Sequence, residues 1–199
     1  MHSILMQKNI FFDYNSNVAP SEGCLLVSEP HLPDANFDRT VILLCKHDDT
    51  GSFGFVLNRK SMVKLSELMP DANGIELPVY VGGPVEQNTL HFIHQEEGLV
   101  DAEHVANSFY WGGNFELLLS WLQDKVIVGN KVRFFLGYSG WSEGQLEEEI
   151  KRNSWIVIKP SKLDFLFKEQ KEDMWKKILD DLGGRFSMYS KYPIDPRLN

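Results

Sequence analysis

Short apolar runs separated by turn residues dominate the first half of the chain, and this pattern predicts strands rather than helices. Residues 40–47 and 52–58 are apolar or β-branched, and Asp48-Asp-Thr-Gly51 between them is typical of a hairpin turn. The remaining predicted strands lie at residues 24–28, 78–82, 89–94, 108–111, 131–137 and 155–158.

Helical periodicity appears between and after these strands. Asn114 is the predicted cap of one helix, and Ser142 with Gln145 forms a capping box for another. A short helix is predicted at 64–69, and two more follow Pro160. The last of these carries an apolar stripe at helical spacing, made of Trp175, Ile178, Leu179 and Leu182.

The order of these elements predicts the fold class. Early hairpins favour antiparallel pairing, and the later strand–helix–strand spacing allows some parallel pairing. We therefore predict an α+β fold with a mixed, largely antiparallel sheet flanked by helices. A chain of 199 residues suits one domain. We expect residues 1–17 to form an N-terminal extension of this domain. We expect residues 160–199 to form a basic helical segment that docks on the rest of the domain, which we call the body.

Charge separates the body from the C-terminal segment. The chain has a net charge of −8, with 28 acidic and 20 basic side chains. Residues 1–150 carry 21 acidic and 9 basic side chains, whereas residues 151–199 carry 7 and 11. An acidic body repels phosphate backbones, so direct nucleic-acid binding is not expected. The basic segment could bind nucleic acid or dock on the acidic body. Because its charges are mixed in sign and its aromatic residues follow helical spacing, docking is expected, in cis or across a homodimer.

The sequence also bears on the compartment. The longest apolar runs are far too short to cross a bilayer, and residues 1–17 lack the features of a signal peptide. Cys24 and Cys45 each lie in a strand-like apolar run, which is typical of buried thiols in a reducing compartment. We expect a cytoplasmic protein without membrane contact.

Several motifs follow one another in a fixed order from Gly23 to about Ile158. The strongest is FFLGYSGWSEGQLE at 134–147, with Trp155 after it. The others are GCLLVSEP at 23–30, the residues Asp34, Phe37, Asp38, Arg39 and Thr40, His47, GSFGFVLNR at 51–59, VYVGGPV at 79–85 and Leu90-His91. In this order they resemble the YqgE/AlgH family of bacterial proteins. Lys60 and Ser139 differ from the family pattern, which has proline and alanine there.

The resemblance implies a mixed sheet curled into a pseudo-barrel with helices around it. It implies no established activity, although part of the family carries a transcriptional-regulator label. The chain shows no helix-turn-helix, zinc finger or basic arm that would support DNA reading. A DNA-binding regulator is therefore an alternative that rests on the resemblance alone.

Glycine-rich or polar motifs directly follow three predicted strands. Because sites gather on loops at strand ends, we expect these motifs to converge on one cleft for a small ligand or a protein. The candidate residues are Asn58, Arg59, Gly82, Gly83, Pro84, Tyr138, Ser139, Gly140 and Trp141. A structural alternative stays open at each motif, namely tight turns at the glycines, a local cap at Asn58 and a solvated Arg59.

Ser139 is the candidate nucleophile of a serine-type hydrolase. GYSGW follows a strand and precedes a capped helix, as a nucleophile elbow does, but Trp141 replaces the last glycine of G-x-S-x-G. All six histidines precede Ser139, which breaks the triad order expected for that fold. The hydrolase is therefore the alternative to a non-catalytic binding or regulatory domain.

The other polar clusters favour structural roles. His91, His94 and His104 could supply metal ligands, but strand neighbours three apart point to opposite faces, so no metal site is predicted. Gly82-Gly83-Pro84 lacks the lysine and hydroxyl of a phosphate loop, and no cofactor is expected. Residues 147–149 are interpreted as a solvated helix face. Trp141 and Trp155 are predicted to be buried.

Overall fold

The computed structural model describes residues 18–30, 32–161, 163–167 and 173–193. Within these residues, ten strands are present. They are β1 (Leu25–Ser28), β2 (Val41–Asp48), β3 (Gly51–Val56), β4 (Lys60–Lys64), β5 (Pro78–Val81), β6 (Val85–His94), β7 (Glu103–Ala106), β8 (Phe109–Trp111), β9 (Val132–Ser142) and β10 (Trp155–Ile158).

The strands form one mixed sheet with the order β10-β1-β2-β3-β9-β6-β8-β7, and β5 joins it beside β9 with β4 on its outer side. Of the strand pairs, only β5–β9 is parallel. The predicted α+β class with a largely antiparallel mixed sheet is confirmed. The sheet is not closed into a barrel, because its path ends at β10 on one side and β7 on the other.

The helices are short and cover the sheet. They are α1 (Leu65–Leu68), α2 (Phe115–Gln123), α3 (Gln145–Lys151), α4 (Met174–Leu182) and α5 (Gly184–Tyr189), with 3-10 turns at Pro70–Ala72, Gly129–Lys131 and Asp164–Phe167. The predicted cap at Asn114 is confirmed, since its side-chain oxygen accepts the backbone N–H of Leu117 at 2.9 Å. None of the helices in the described ranges has the length and apolar character needed to span a bilayer.

Strand β9 is longer than the sequence pattern predicts. The apolar run ends at residue 137, and the glycines that follow predict a turn. In the structure the strand continues to Ser142, because residues 139–142 find antiparallel partners on β3. Gly137 makes the transition with a φ of 67°, a left-handed conformation that glycine adopts without strain. The predicted turn was therefore wrong, and its residues belong to the sheet.

The C-terminal helices share a core with the sheet. Trp175, Ile178 and Leu179 lie in the same buried cluster as Leu43 and Phe55. The indole N–H of Trp175 donates to the carbonyl of Ser28 at 2.9 Å. The guanidinium of Arg39 lies 4.8 Å from the centroid of the same indole and donates a hydrogen bond to the carbonyl of Tyr192. Apolar burial is thus the main contact between α4 and the sheet.

We predict that Trp175→Ala lowers the free energy of unfolding by about 3–5 kcal/mol, because a fully buried indole leaves a cavity that its neighbours cannot fill. Urea denaturation measures the change. Lys176→Ala, on the exposed side of α4, is the control and should leave the unfolding midpoint nearly unchanged. A Trp175→Ala variant as stable as this control would show that α4 does not contribute to the core.

Candidate functional site

A cleft of about 570 Å³ opens between the β2–β3 hairpin and the ends of β6, β8 and β9, and we call it the aromatic cleft. It is lined by Lys46, Thr50, Gly51, Ser52, Phe53, Val85, His91, Trp111, Tyr138, Gly140 and Trp141. Three of these residues, Tyr138, Gly140 and Trp141, belong to the set predicted from the sequence. The hairpin and Trp111 of β8 were missed, because a strand residue's partners across the sheet cannot be known from local pattern.

Aromatic rings form the walls of the aromatic cleft. Phe53 lies at the centre, with its ring centroid 4.7 Å from that of Trp111 and 6.1 Å from that of Tyr138. Both contacts are edge-to-face, the arrangement in which the positive edge of one ring meets the negative face of the other. The rings therefore hold one another in place and form a wall of fixed shape.

His91 is half-buried in this lining, and one atom of its ring, Nε2, is fully buried. Its ring lies 5.7 Å from Tyr138 and 5.5 Å from Phe55. Its Nε2 is buried without a hydrogen-bond partner, and among the described residues only Nε of Arg39 shares that condition. Burial lowers the pKa of His91, and the nearby charge of Glu86 opposes the shift. The ring is therefore neutral at pH 7.

The rim of the aromatic cleft is polar. Asp48 accepts hydrogen bonds from the hydroxyl and the backbone N–H of Thr50 and forms an ion pair with Lys46 at 3.1 Å. The hydrogen bonds from Thr50, and then the one from Lys46, lower the pKa of Asp48 to about 2. Lys46 and Thr50 of the lining therefore both contact Asp48, a carboxylate outside the lining that stays ionised at every physiological pH.

The segment Gly82-Gly83-Pro84 packs directly against the predicted residues of β9. The carbonyl of Gly82 accepts the hydroxyl of Ser139 at 3.1 Å. A side chain at Gly83 would place its Cβ 2.3 Å from the backbone of Tyr138, so only glycine permits this approach. Both glycines are buried and Pro84 is exposed, and the cleft lining begins at the next residue, Val85.

Asn58 and Arg59 face another part of the molecule. The side chain of Asn58 accepts the N–H of Val41 at 3.0 Å and donates to the carbonyl of Arg39 at 2.8 Å. Arg59 donates to the carbonyls of Ala35 and Asp38. These side chains brace the segment 35–41, and neither lines the aromatic cleft. The carbonyl of Arg59 accepts the N–H of Val81 at 2.8 Å, so the three predicted motifs are neighbours, but only the third of them lines the aromatic cleft.

Ser139 has the surroundings of a structural residue. It is fully buried within β9, opposite Gly54 of β3, and its hydroxyl donates to a backbone carbonyl. A nucleophile elbow needs a sharp turn that exposes the serine hydroxyl. The extended strand and the buried hydroxyl remove the geometric basis of the hydrolase hypothesis at Ser139.

A carboxylate that sequence reasoning missed anchors both predicted tryptophans. The indole N–H groups of Trp141 and Trp155 donate to the same oxygen of Glu149, at 2.9 and 2.7 Å, and Gln145 donates to the other oxygen at 2.9 Å. Both indoles are buried, which confirms that prediction. The interpretation of 147–149 as a solvated face was wrong for Glu149, because α3 packs so that this side chain reaches over the two indoles.

His94 and His104, which lie outside the aromatic cleft, make local hydrogen bonds. His94 contacts the carbonyl of Gly112 through Nε2, and its Nδ1 accepts the N–H of Glu96. His104 contacts the carbonyl of Asn107 at 2.8 Å. No cluster of three or more His, Cys, Asp or Glu side chains that could hold a metal ion occurs in the part of the chain that the structure describes.

These features define a class of protein: an α+β domain on an open mixed sheet, with a cleft of aromatic rings beside its central strand. Comparison with known proteins then assigns the family. An AlgH-like family model matches residues 25–187, and the chain belongs to this family. The resemblance noted from the sequence motifs is therefore confirmed.

Relatives and solved structures agree with this assignment. A UPF0301 protein of Parabacteroides distasonis is 42% identical over 195 residues, covering 96% of this chain and 98% of that protein. A UPF0301 protein of Cytophaga hutchinsonii is 40% identical over 181 residues, or 90% and 99% of the two chains. The crystal structure of DIP2367 from Corynebacterium diphtheriae superposes with a TM-score of 0.73 at 25% identity, covering 90% and 95%. The solution structure of the AlgH protein from Pseudomonas aeruginosa superposes with a TM-score of 0.67 at 25% sequence identity. The match covers 88% of this chain and 97% of that chain.

We predict that Glu149→Ala lowers the free energy of unfolding by about 1–3 kcal/mol, because two buried indole N–H groups lose their acceptor. Thermal or urea unfolding measures the change, and the near-ultraviolet circular dichroism of the tryptophans should change with it. Glu148→Ala is the matched control, because Glu148 is the adjacent exposed carboxylate and pairs with Lys151. This substitution should lower the free energy of unfolding only slightly. Equal stabilities for the two variants would contradict the anchoring role.

Proposed function

We propose that this chain is a non-catalytic binding domain whose aromatic cleft takes a small planar ligand with a hydrogen-bonding edge. The observation that carries this proposal is the buried Nε2 of His91, which has no hydrogen-bond partner and belongs to a lining of aromatic rings. A polar atom in that condition typically costs about 1–3 kcal/mol. A ligand that supplies the missing partner would recover this free energy after a small shift of the lining opens Nε2, which is closed to solvent, to the cleft.

The form of the aromatic cleft supports the same proposal. Its volume of about 570 Å³ lies within the range typical of small-molecule sites, which are mostly apolar with a few placed polar groups. A planar ring would stack among Phe53, Trp111 and Tyr138, and a polar group on its edge would reach His91. Stacking with aromatic side chains typically contributes about 0.5–1.5 kcal/mol beyond area burial.

A regulatory effect would follow from ligand binding rather than from contact with DNA. The body carries the excess of acidic side chains, so a duplex would be repelled from the surface around the aromatic cleft. We place this activity in the cytoplasm, where Cys24 and Cys45, both buried and free, would stay reduced. The partner acted upon would be a protein that distinguishes the ligand-bound state from the free state.

We predict that a library of small heteroaromatic fragments produces hits that shift the amide resonances of Ser52, Phe53 and Gly140 in two-dimensional NMR spectra. His91→Phe keeps the ring and removes the polar edge, so it should weaken the best hits about fivefold to tenfold, the equivalent of one hydrogen bond. His104→Phe is the control, because His104 lies outside the aromatic cleft. Equal affinities in the two variants, or hits spread over the surface, would contradict the proposal.

A second candidate function, acyl transfer, is favoured by one specific contact at the cleft. Ser52 lines the aromatic cleft, and its hydroxyl lies 2.7 Å from Nδ1 of His47. Glu147 lies 3.5 Å from Nε2 of the same ring. A nucleophile beside a base that a third group orients is the arrangement of covalent catalysis. The Glu147 contact is long for a hydrogen bond and its side chain is 43% exposed, so binding remains our proposal.

This second candidate predicts covalent labelling of Ser52 by a serine-directed fluorophosphonate. Oγ would bond to phosphorus, fluoride would leave with the electrons of the P–F bond, and His47 Nδ1 would take the hydroxyl proton. Mass spectrometry of the labelled peptide locates the adduct. Ser52→Ala should abolish labelling and Ser139→Ala should retain it. A wild-type chain that stays unlabelled under conditions that label a serine hydrolase excludes acyl transfer at this site and leaves the binding proposal intact.

A further inference from the structure

Arg133, near the start of β9, is a buried cation with no carboxylate beside it among the side chains that the structure describes. The residue is 6% exposed. Its guanidinium donates one hydrogen bond to the carbonyl of Leu57 at 3.2 Å and lies 4.5 Å from the ring centroid of Tyr80. Among the acidic side chains that the structure describes, which do not include that of Asp164, none forms an ion pair with Arg133.

This arrangement leaves most of the hydrogen-bonding capacity of Arg133 unused. A guanidinium has five N–H donors, and the contact with Leu57 uses one of them. Burial lowers the pKa of Arg133, and Tyr80 opposes the shift, but a guanidinium stays protonated in proteins. Buried charges are normally paired or bound to a ligand, since an unpaired charge loses its hydration without compensation.

Arg133 lines a cavity of about 300 Å³, which we call the Arg133 cavity. Lys60 and Asn130 supply further polar groups to its lining, and Leu77, Pro78 and Phe167 supply apolar surface. The side chain of Lys60 is exposed, so a second cation is available on the solvent side. The cavity therefore combines a buried cation, an outer cation and apolar walls in a volume suited to a small organic molecule.

We propose that the Arg133 cavity is a second ligand site, which takes a small organic molecule through an anionic carboxylate or phosphate group bound at Arg133. The planar fork of a guanidinium matches either group with two parallel hydrogen bonds, and an ammonium group adds a point charge. The carbon body of the ligand packs on the apolar walls. The Arg133 cavity and the aromatic cleft lie at opposite ends of β9, so this site does not depend on the proposed function.

Three probes that share a phenyl ring test, on the full chain, whether the ligand must carry a negative charge. Benzoate and phenyl phosphate carry the two candidate anions, and benzamide is the neutral analogue of benzoate. We expect at least one anion to shift the amide resonances of Asn130 and Val132 saturably and benzamide to leave them unmoved. The anion that binds with the higher affinity shows whether the site prefers a carboxylate or a phosphate group. Benzamide shifting these amides as strongly as benzoate, or no saturable shift from either anion at about 10 mM, would overturn the proposal.

Variants locate the interaction. Arg133→Met keeps a long apolar side chain in the core and should reduce the affinity for the anion more than tenfold. Lys60→Gln should weaken it about threefold to fivefold, because a partly exposed charge contributes less. Lys64→Gln lies on the same strand, outside the cavity, and should have no effect. If Arg133→Met does not fold, the two variants at exposed lysines still test the proposal. Equal affinities of Lys60→Gln and Lys64→Gln for the anion would then reject the site.

Discussion

The hydrogen-bonding of β9 is the constraint on which the rest of the molecule depends. This strand pairs with β6 along most of its length, with β5 through residues 134–136 and with β3 through residues 139–142. No other strand among the described residues has three partners. Because an unpaired buried backbone group is costly, β9 fixes the register of the strands on both sides. Both candidate sites lie on this strand, one at each end.

Close packing along β9 explains why the motif GYSGW serves structure more than chemistry. Gly137 bends the strand, Ser139 ties it to Gly82, and Gly83 lets that segment touch the backbone of Tyr138. Trp141 is held from the other side by the carboxylate of Glu149, which also holds Trp155. The rigidity of this region allows Tyr138 to form one wall of the aromatic cleft without collapsing into it.

The two candidate sites differ in the physical problem that a ligand would solve. In the aromatic cleft, a neutral imidazole lacks one hydrogen bond among rings that already support one another. In the Arg133 cavity, a buried positive charge has no anionic partner among the described side chains. A ligand for the first needs a planar body with a polar edge, and a ligand for the second needs a negative charge. Charge would therefore distinguish the two proposed ligands.

Local sequence pattern determined the elements of this fold, and tertiary structure decided what most of the candidate residues do. Alternation of apolar residues, the Asp48–Gly51 turn and the cap at Asn114 were readable because their cause lies within a few neighbouring residues. The extension of β9, the contacts of Asn58 and Arg59, and the role of Glu149 depend on partners distant in sequence. The aromatic cleft needs Phe53, His91 and Trp111 from three strands, and the Arg133 cavity needs side chains from β4, β5 and β9. Such arrangements arise from the packing of strands against one another, which no local window of the sequence contains.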